Sequence, residues 1–370
     1  MTPDKFRECF RRIKERDLPC GVHGLTPESK TYLVSLWKRE IGIPFLFITS
    51  DESRAEEVYE NLHSFLPEEE LFLLSSSHYL RIFRKLEQNN ILVITSLATL
   101  FQKISPSFFI KDILYLKKGE KIDRDFLLKK LVEKGYHFSS LVEEEGDYSY
   151  RGGIIDFYSP LYSHPIRIEL FEEKIESIRE FNPLTQSSIK KRKEVILSSI
   201  KDSSLNKEED SIPLFNAFPS SFVFILDEPA DFSSYFQEFK NLLKKPHLYL
   251  SSLPQRTSWM RPKRNFSFSS SFLTPYRGHL ELLIQEIKKW RKEGYKITFL
   301  TPTEGQGSRL RDLLEERGIE ISSINIQIGT LQRGFRFEET KEIYIADGDI
   351  FERYREKRKK WLKEEEIRIE

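Results

Sequence analysis

Residues 28–49 read ESKTYLVSLWKREIGIPFLFIT, and the two halves of this stretch follow different periods. In the first half Leu33, Leu36 and Trp37 recur at helical spacing, so the sequence predicts a helix over Glu28–Glu40. In the second half Ile43–Thr49 is an apolar run rich in Phe and Ile, the pattern of a strand buried on both faces. Ser50, Asp51 and Glu52 then offer N-cap chemistry for a further helix ending near Leu62. The strand signal returns at Leu71–Leu74 and Ile91–Thr95, each followed by a helix, and Ile110–Leu116 closes the region. Strands alternating with helices in this way predict a parallel α/β sheet.

The pattern changes near Tyr136. From there to Ser199 the chain reads as successive strands of alternating polarity, broken by Arg-Gly-Gly, Tyr-Ser-Pro and Asn-Pro turns. The polar stretch Lys201–Ser211 reads as a linker. Helix–strand alternation then resumes, with strands expected at Phe222–Leu226, His247–Ser251 and Lys296–Leu300. Helices are expected at Phe232–Leu243, Leu280–Gly294 and Ser308–Gly318, short strands near Ile326 and Ile343, and a loop at Pro254–Ser271. The simplest architecture is one α/β domain, residues 1–135 and 201–350, interrupted by a β-rich insertion at 136–200 and followed by a charged linker helix at 351–370.

Composition narrows the function. Of 370 residues 39% are hydrophobic, enough for a buried core, and 32% are charged, which argues against a membrane protein. No stretch approaches the roughly 20 apolar residues of a membrane-spanning helix, and Met1–Arg12 lacks the apolar core of a signal peptide. The formal net charge of +1 gives no support to a long duplex-DNA footprint. Local basic runs occur at Lys190–Lys193 and Arg353–Lys360. Cys9 and Cys20 alone make no disulfide framework, which points to a reducing, cytoplasmic setting. The seven histidines are scattered without metal-ligand spacing, so no metal site is expected.

Gly24-Leu25-Thr26-Pro27-Glu28-Ser29-Lys30-Thr31 nearly matches the phosphate-binding pattern G-x-x-x-x-G-K-[ST], and it precedes a helix and a strand. That chemistry needs backbone N–H groups turned inward on the phosphates. Pro27 removes one N–H, Glu28 brings a negative charge, and Ser29 stands where a glycine would let the backbone approach. Lys30 and Thr31 cannot rebuild the cradle alone. Asp227-Glu228 ends a strand as a magnesium-binding pair does in helicases, although a strand-ending Asp that caps a turn has the same appearance. The expectation is a helicase-like, P-loop NTPase-derived fold whose nucleotide site has decayed, with no cofactor. Gly305–Ser308 lacks a full dinucleotide pattern, and Thr303 or Ser308 as a helix cap accounts for it.

In Pro165–Phe171 side chains alternate across a strand. Ile166, Ile168 and Leu170 share one face, while Arg167, Glu169 and Phe171 share the other. In Lys174–Phe181, Ile175, Ser177, Arg179 and Phe181 are expected on one face. Asp156 interrupts the apolar run Ile154, Ile155 and Phe157. A phenylalanine beside an arginine on an outer face has the composition of a binding hot spot. Alternation alone leaves two readings equal: a docking face, or a packed sheet with Phe171 in the core and Arg167 paired across strands.

Tyr148-Ser149-Tyr150-Arg151-Gly152-Gly153-Ile154-Ile155-Asp156-Phe157-Tyr158, then Arg167–Phe171 and Ile175–Phe181, resemble the domain shared by the UvrB nucleotide-excision-repair protein and the transcription-repair coupling factor Mfd. Ile91–Leu100, Ser221–Pro229, Gly294–Leu310 and Gly329–Phe351 resemble the flanking parts of the Mfd amino-terminal module, whereas Leu66–Ile91 is shorter than usual. Ser29 in the loop, and Ala230 where UvrB-like proteins carry a His, favour the Mfd side, whose amino-terminal module has lost ATP hydrolysis. The resemblance implies a non-catalytic module that binds UvrA through Arg151, Arg167 and Phe171, with Glu169 between them on the same face. Phe171 would fill an apolar pocket, and the arginines would pair with acidic groups of the partner. An Mfd continues into polymerase-binding and translocase domains, so RNA polymerase and DNA would be indirect partners, and the chain is expected to be either a fragment or a stand-alone module. The alternatives are a UvrB-like ATP-dependent helicase subunit and a DNA-binding repair subunit.

Overall fold

The computed structural model describes residues 4–75, 90–104, 114–200, 211–235 and 239–351, together with Leu86. Residues 201–210 of the expected linker and 352–370 of the expected charged helix lie outside the described residues, as does the helix expected after Leu74.

The chain begins with helix α1 (Asp4–Glu15), strand β1 (Cys20–His23), helix α2 (Pro27–Ile41), strand β2 (Phe45–Thr49) and helix α3 (Glu52–Leu62). Strands β3 (Leu71–Leu74) and β4 (Leu92–Ser96), helix α4 (Leu97–Phe101) and strand β5 (Lys103–Ile104) follow. Local chemistry fixes the helix starts. Thr26 accepts from Ser29 N and Pro27 occupies the first turn of α2, while Asp51 accepts from Arg54 N at the start of α3. The residues of β2 and β4 are buried throughout, so their apolar runs need no polar face.

The β-rich body begins at strand β6 (Leu114–Lys117), ahead of the expected boundary at residue 136. It continues with the helix Arg124–Glu133, β7 (His137–Phe138), β8 (Asp147–Arg151), β9 (Ile154–Phe157), β10 (Ile166–Phe171), β11 (Lys174–Phe181), β12 (Ser188–Arg192) and β13 (Glu194–Leu197). Ile110–Leu116 was expected to close the first α/β region. Instead β6 pairs antiparallel with β13, Leu116 opposite Val195, and Leu116 joins the insertion's core. Six strands form the main sheet in the order β12-β11-β10-β9-β8-β7. One face of this sheet closes a core of Ile155, Phe157, Ile166, Ile168 and Ile178 over Leu127 and Leu131 of the 124–133 helix.

The chain then returns through β14 (Ile212–Pro213), which pairs with β5, to β15 (Val223–Asp227), β16 (His247–Leu250) and β17 (Arg264–Ser267). These last three complete a seven-stranded, wholly parallel sheet, β17-β1-β16-β15-β2-β4-β3. Strand β17 falls where a loop was expected. It is an edge strand with only Phe266 buried, so it lacks the apolar run that marks a central strand. Pro229–Tyr235, at the start of the helix expected over Phe232–Leu243, is 3-10 helix.

The strands after Ser270 do not extend this sheet. Strands β18 (Ser270–Phe272), β19 (Lys296–Thr301), β20 (Asn325–Ile328), β21 (Phe335–Phe337) and β22 (Glu342–Ala346) build a second one, in the order β18-β21-β22-β19-β20. Helices Leu280–Lys292 and Glu304–Glu315 accompany it, the latter capped by Thr303. Its other side meets α2, where Tyr32 lies 5.8, 5.6 and 5.0 Å from the rings of Phe335, Phe337 and Tyr344. Helix α2 is therefore clamped between two sheets, which explains why even its polar residues Ser29, Lys30, Thr31 and Lys38 are buried.

Candidate docking face and the Lys30 charge cluster

Strand register places the residues singled out in the insertion. Arg151 lies opposite Ile154, Ile154 opposite Glu169, and Glu169 opposite Ser177, so these four cross the sheet as one row. The neighbouring row on the same face runs Ser149, Asp156, Arg167, Arg179 and Lys191. Phe171 follows Glu169 on this face at the tip of the β10–β11 hairpin and is 63% exposed. The structure thus brings Arg151, Arg167, Glu169 and Phe171 onto one outer face, with Ile166 and Ile168 fully buried behind it.

Two of the four residues are internally satisfied. Arg167 Nε and Nη2 donate to Asp156 Oδ1 and Oδ2, both at 2.7 Å, and Nη2 also reaches Gln186 Oε1 at 2.9 Å. The same guanidinium lies over the Phe181 ring, 4.3 Å from its centroid. Its fork was expected to be open to a partner's carboxylate but is filled by Asp156, and this hydrogen bond holds the guanidinium pKa above its ordinary value. Ser177 Oγ donates to Glu169 Oε2 at 2.6 Å and Arg179 pairs with Oε1, which together hold the Glu169 carboxyl below its ordinary range. By contrast, Arg151 and Lys191 are exposed and have no ion-pair partner among the described residues.

The strand expectation fails at one place. Ser177, Arg179 and Phe181 lie on the outer face, but Ile175 is buried with Ile178 in the core. Strand β11 carries an extra residue, Glu176, where the pairing shifts from Glu169–Ser177 to Leu170–Ile175. Such a bulge inverts the alternation beyond it. It leads into a two-residue turn, Glu172-Glu173, with both φ positive at 47° and 62°, the turn geometry that matches strand twist. On the adjoining hairpin Gly153 is a requirement of packing, since a Cβ there would stand 2.4 Å from Leu170 O. Ile154, 36% exposed at the centre of the face, is a member that sequence reasoning missed. Its signal was present, because it alternates with the buried Ile155.

The Gly24–Thr31 segment leads from β1 into α2. Gly24 has φ +89° and packs against β17–β18, where a Cβ would stand 2.0 Å from Phe268 O. Ser29 Oγ donates to Thr26 O at 3.0 Å and bonds Ser270 Oγ at 2.7 Å. Thr31 Oγ1 donates to Glu28 O at 2.7 Å. Lys30 is 1% exposed, and its Nζ donates to Asp227 Oδ1 and Glu228 Oε1, both at 2.6 Å. Arg54 Nε stands 3.5 Å from Asp227 Oδ2, and the backbone N–H of Ser252 donates to Glu228 Oε1 at 2.7 Å. Burial alone would raise the Glu228 pKa, but Lys30 and Ser252 outweigh it and hold the carboxyl low. Glu28 is buried, its Oε2 has no hydrogen-bond partner, and burial pushes its pKa up. In a working phosphate loop the lysine reaches toward phosphate; here its ammonium sits between two carboxylates of its own chain.

Residues 114–202 match the family described as the UvrB interaction domain. The match begins at β6 and encloses the outer face with all four residues singled out on it. Along nearly its whole length the chain is also similar to a protein named transcription-repair-coupling factor from Staphylococcus aureus (strain MSSA476), with 22% identity over 92% of this chain. Similarity to the protein of that name from Bacillus subtilis (strain 168) is 22% over 94% of this chain. The chain is similar to the transcription-repair-coupling factors. It spans 39% of the length of these two relatives. At 92% and 94% of this chain, the coupling-factor similarity extends well beyond the interaction domain. Among the described residues no helix is long and apolar enough to cross a membrane.

Proposed function

We propose that this chain is a non-catalytic UvrA-binding module of a transcription-repair coupling factor, which recruits nucleotide excision repair to damaged DNA. The observation that carries this reading is the UvrB interaction domain over residues 114–202, with Phe171 and the unpaired Arg151 both exposed on the outer face of its sheet. Phe171 fills an apolar pocket on UvrA, and Arg151 pairs with a carboxylate there, a role suited to its planar fork. Arg167 and Glu169 keep their places in the face by holding its shape through Asp156, Ser177 and Arg179. RNA polymerase and DNA are indirect partners, engaged by parts of a coupling factor beyond these residues. The module acts in the cytoplasm.

The Gly24–Thr31 loop is read as inherited scaffold that has lost ATP. The support is chemical: Lys30 is neutralised by Asp227 and Glu228, the Thr31 hydroxyl donates to Glu28 O, and a buried carboxylate, Glu28, occupies the loop. Phosphate would have to displace the two carboxylates that already neutralise Lys30 and approach the buried Glu28 carboxyl. A titration of purified UvrA with this chain, run with and without DNA and MgATP, tests the whole reading. Saturable DNA-independent binding that Phe171→Ala weakens is the expected result. Failure of the unsubstituted chain to bind UvrA, or ATP hydrolysis by it, would overturn the reading in favour of a DNA-binding or a helicase subunit.

A further inference from the structure

We infer that the docking face extends across β12 to Lys191, so that the partner surface carries two separated acidic contacts, one for Arg151 and one for Lys191. The inference rests on the proposed docking role of this face. The two rows that cross the sheet hold four cations, Arg151, Arg167, Arg179 and Lys191, and two carboxylates, Asp156 and Glu169. Asp156 neutralises Arg167 and Glu169 neutralises Arg179. The uncompensated charge therefore lies at the two margins, Arg151 on β8 and Lys191 on β12. Apolar surface lies between them: Ile154 in the Arg151 row, and Phe171 at the hairpin tip.

Four strand spacings of about 4.8 Å and one row offset of about 7 Å separate Arg151 from Lys191, a span of roughly 20 Å. That is the width of an ordinary protein–protein patch. A braced, neutral centre with free cations at two edges is complementary to a protein surface with carboxylates on either side of an apolar spot. A polyanionic backbone would instead be met by cations throughout the centre, where here each guanidinium already faces a carboxylate.

The test uses the full chain with Arg151→Glu, Lys191→Glu and the double variant, titrated against purified UvrA at low and high salt. Lys190→Glu is the control. It lies one position away on the same strand, in register with Glu180 and on the opposite side of the sheet. Each of the two face variants is expected to weaken binding about tenfold, mostly through a slower on-rate that fades at high salt. Because the sites lie well beyond 10 Å apart, the double variant should lose about a hundredfold, the product of the two. Lys190→Glu should stay within about twofold of the unsubstituted chain in affinity, and the melting curves of the Arg151 and Lys191 variants should match that of the unsubstituted chain. The inference is overturned if Lys191→Glu leaves UvrA affinity within about twofold, if Lys190→Glu weakens it equally, or if Lys191→Glu alters only association with DNA. Absence of binding by the unsubstituted chain would overturn the docking role itself and this inference with it.

Discussion

In a working phosphate loop, replacing the lysine disables chemistry and spares the fold. The Lys30 environment predicts the reverse for Lys30→Met. The Lys30 side chain is 1% exposed, and its two partners, Asp227 and Glu228, are 2% and 23% exposed. Removing the ammonium leaves a buried carboxylate and a half-buried one facing each other at the carboxyl end of β15. Breaking a buried pair from one side costs about 3–5 kcal/mol. Arg54 remains near Asp227, and Ser252 and Gln255 still donate to Glu228, so the lower end, about 3 kcal/mol, is expected. For a unit of this size that lowers the melting temperature by roughly 6–12 °C. The assay is thermal and urea unfolding of Lys30→Met beside the triple variant Lys30→Met/Asp227→Asn/Glu228→Gln. The triple variant removes both stranded charges and should recover most of the loss. MgATP should shift none of the curves. A Lys30→Met protein that melts within about 1 °C of the parent would refute the reasoning, and so would a triple variant no more stable than the single one.

Three further outcomes follow from the same geometry. Phe171→Ala should leave the melting temperature unchanged, because the ring is 63% exposed, yet weaken UvrA binding by about 2 kcal/mol, near thirtyfold in a titration. Asp156→Ala should reproduce the affinity loss of Arg167→Ala, and the two together should cost little more than either alone. Additive losses would mean that Arg167 contacts the partner directly. Glu342 is half-buried, and burial raises its carboxyl pKa from 4.5 to about 7. The folded state therefore keeps a proton that the unfolded chain releases, so stability should fall as pH rises from about 4.5 to 7 and level off above. Glu342→Gln should flatten that slope and raise stability at pH 8 by ~1–3 kcal/mol, as read from melts across the range.

What the sequence revealed depended on how local the determining physics is. The runs at Phe45–Thr49, Leu92–Ser96 and Val223–Asp227 are buried along their whole length, so each announces itself without reference to its neighbours. Asp51 caps its helix within three residues and was legible for the same reason, whereas Thr303 shared the expectation with Ser308 and its helix starts four residues earlier than expected. Strand β17 was not, because an edge strand needs few apolar residues. The start of the insertion was misplaced because β6 belongs to it through pairing with β13, some eighty residues later. That relation leaves no trace in either segment alone.

The docking face divides along the same line. Alternation in Ile166–Phe171 correctly separated core from surface, because it requires one strand only. Whether Arg167 is a free hook or a brace depended on the register of β10 against β9, which sets Asp156 directly opposite it. Register is a property of two strands, and one bulged residue in a third strand was enough to send Ile175 inward. Sequence pattern therefore nominated the surface, while pairing decided which of its charges remain available. By that criterion the availability of Arg151 and Lys191, rather than the number of arginines on the face, is what the proposed partner would have to match.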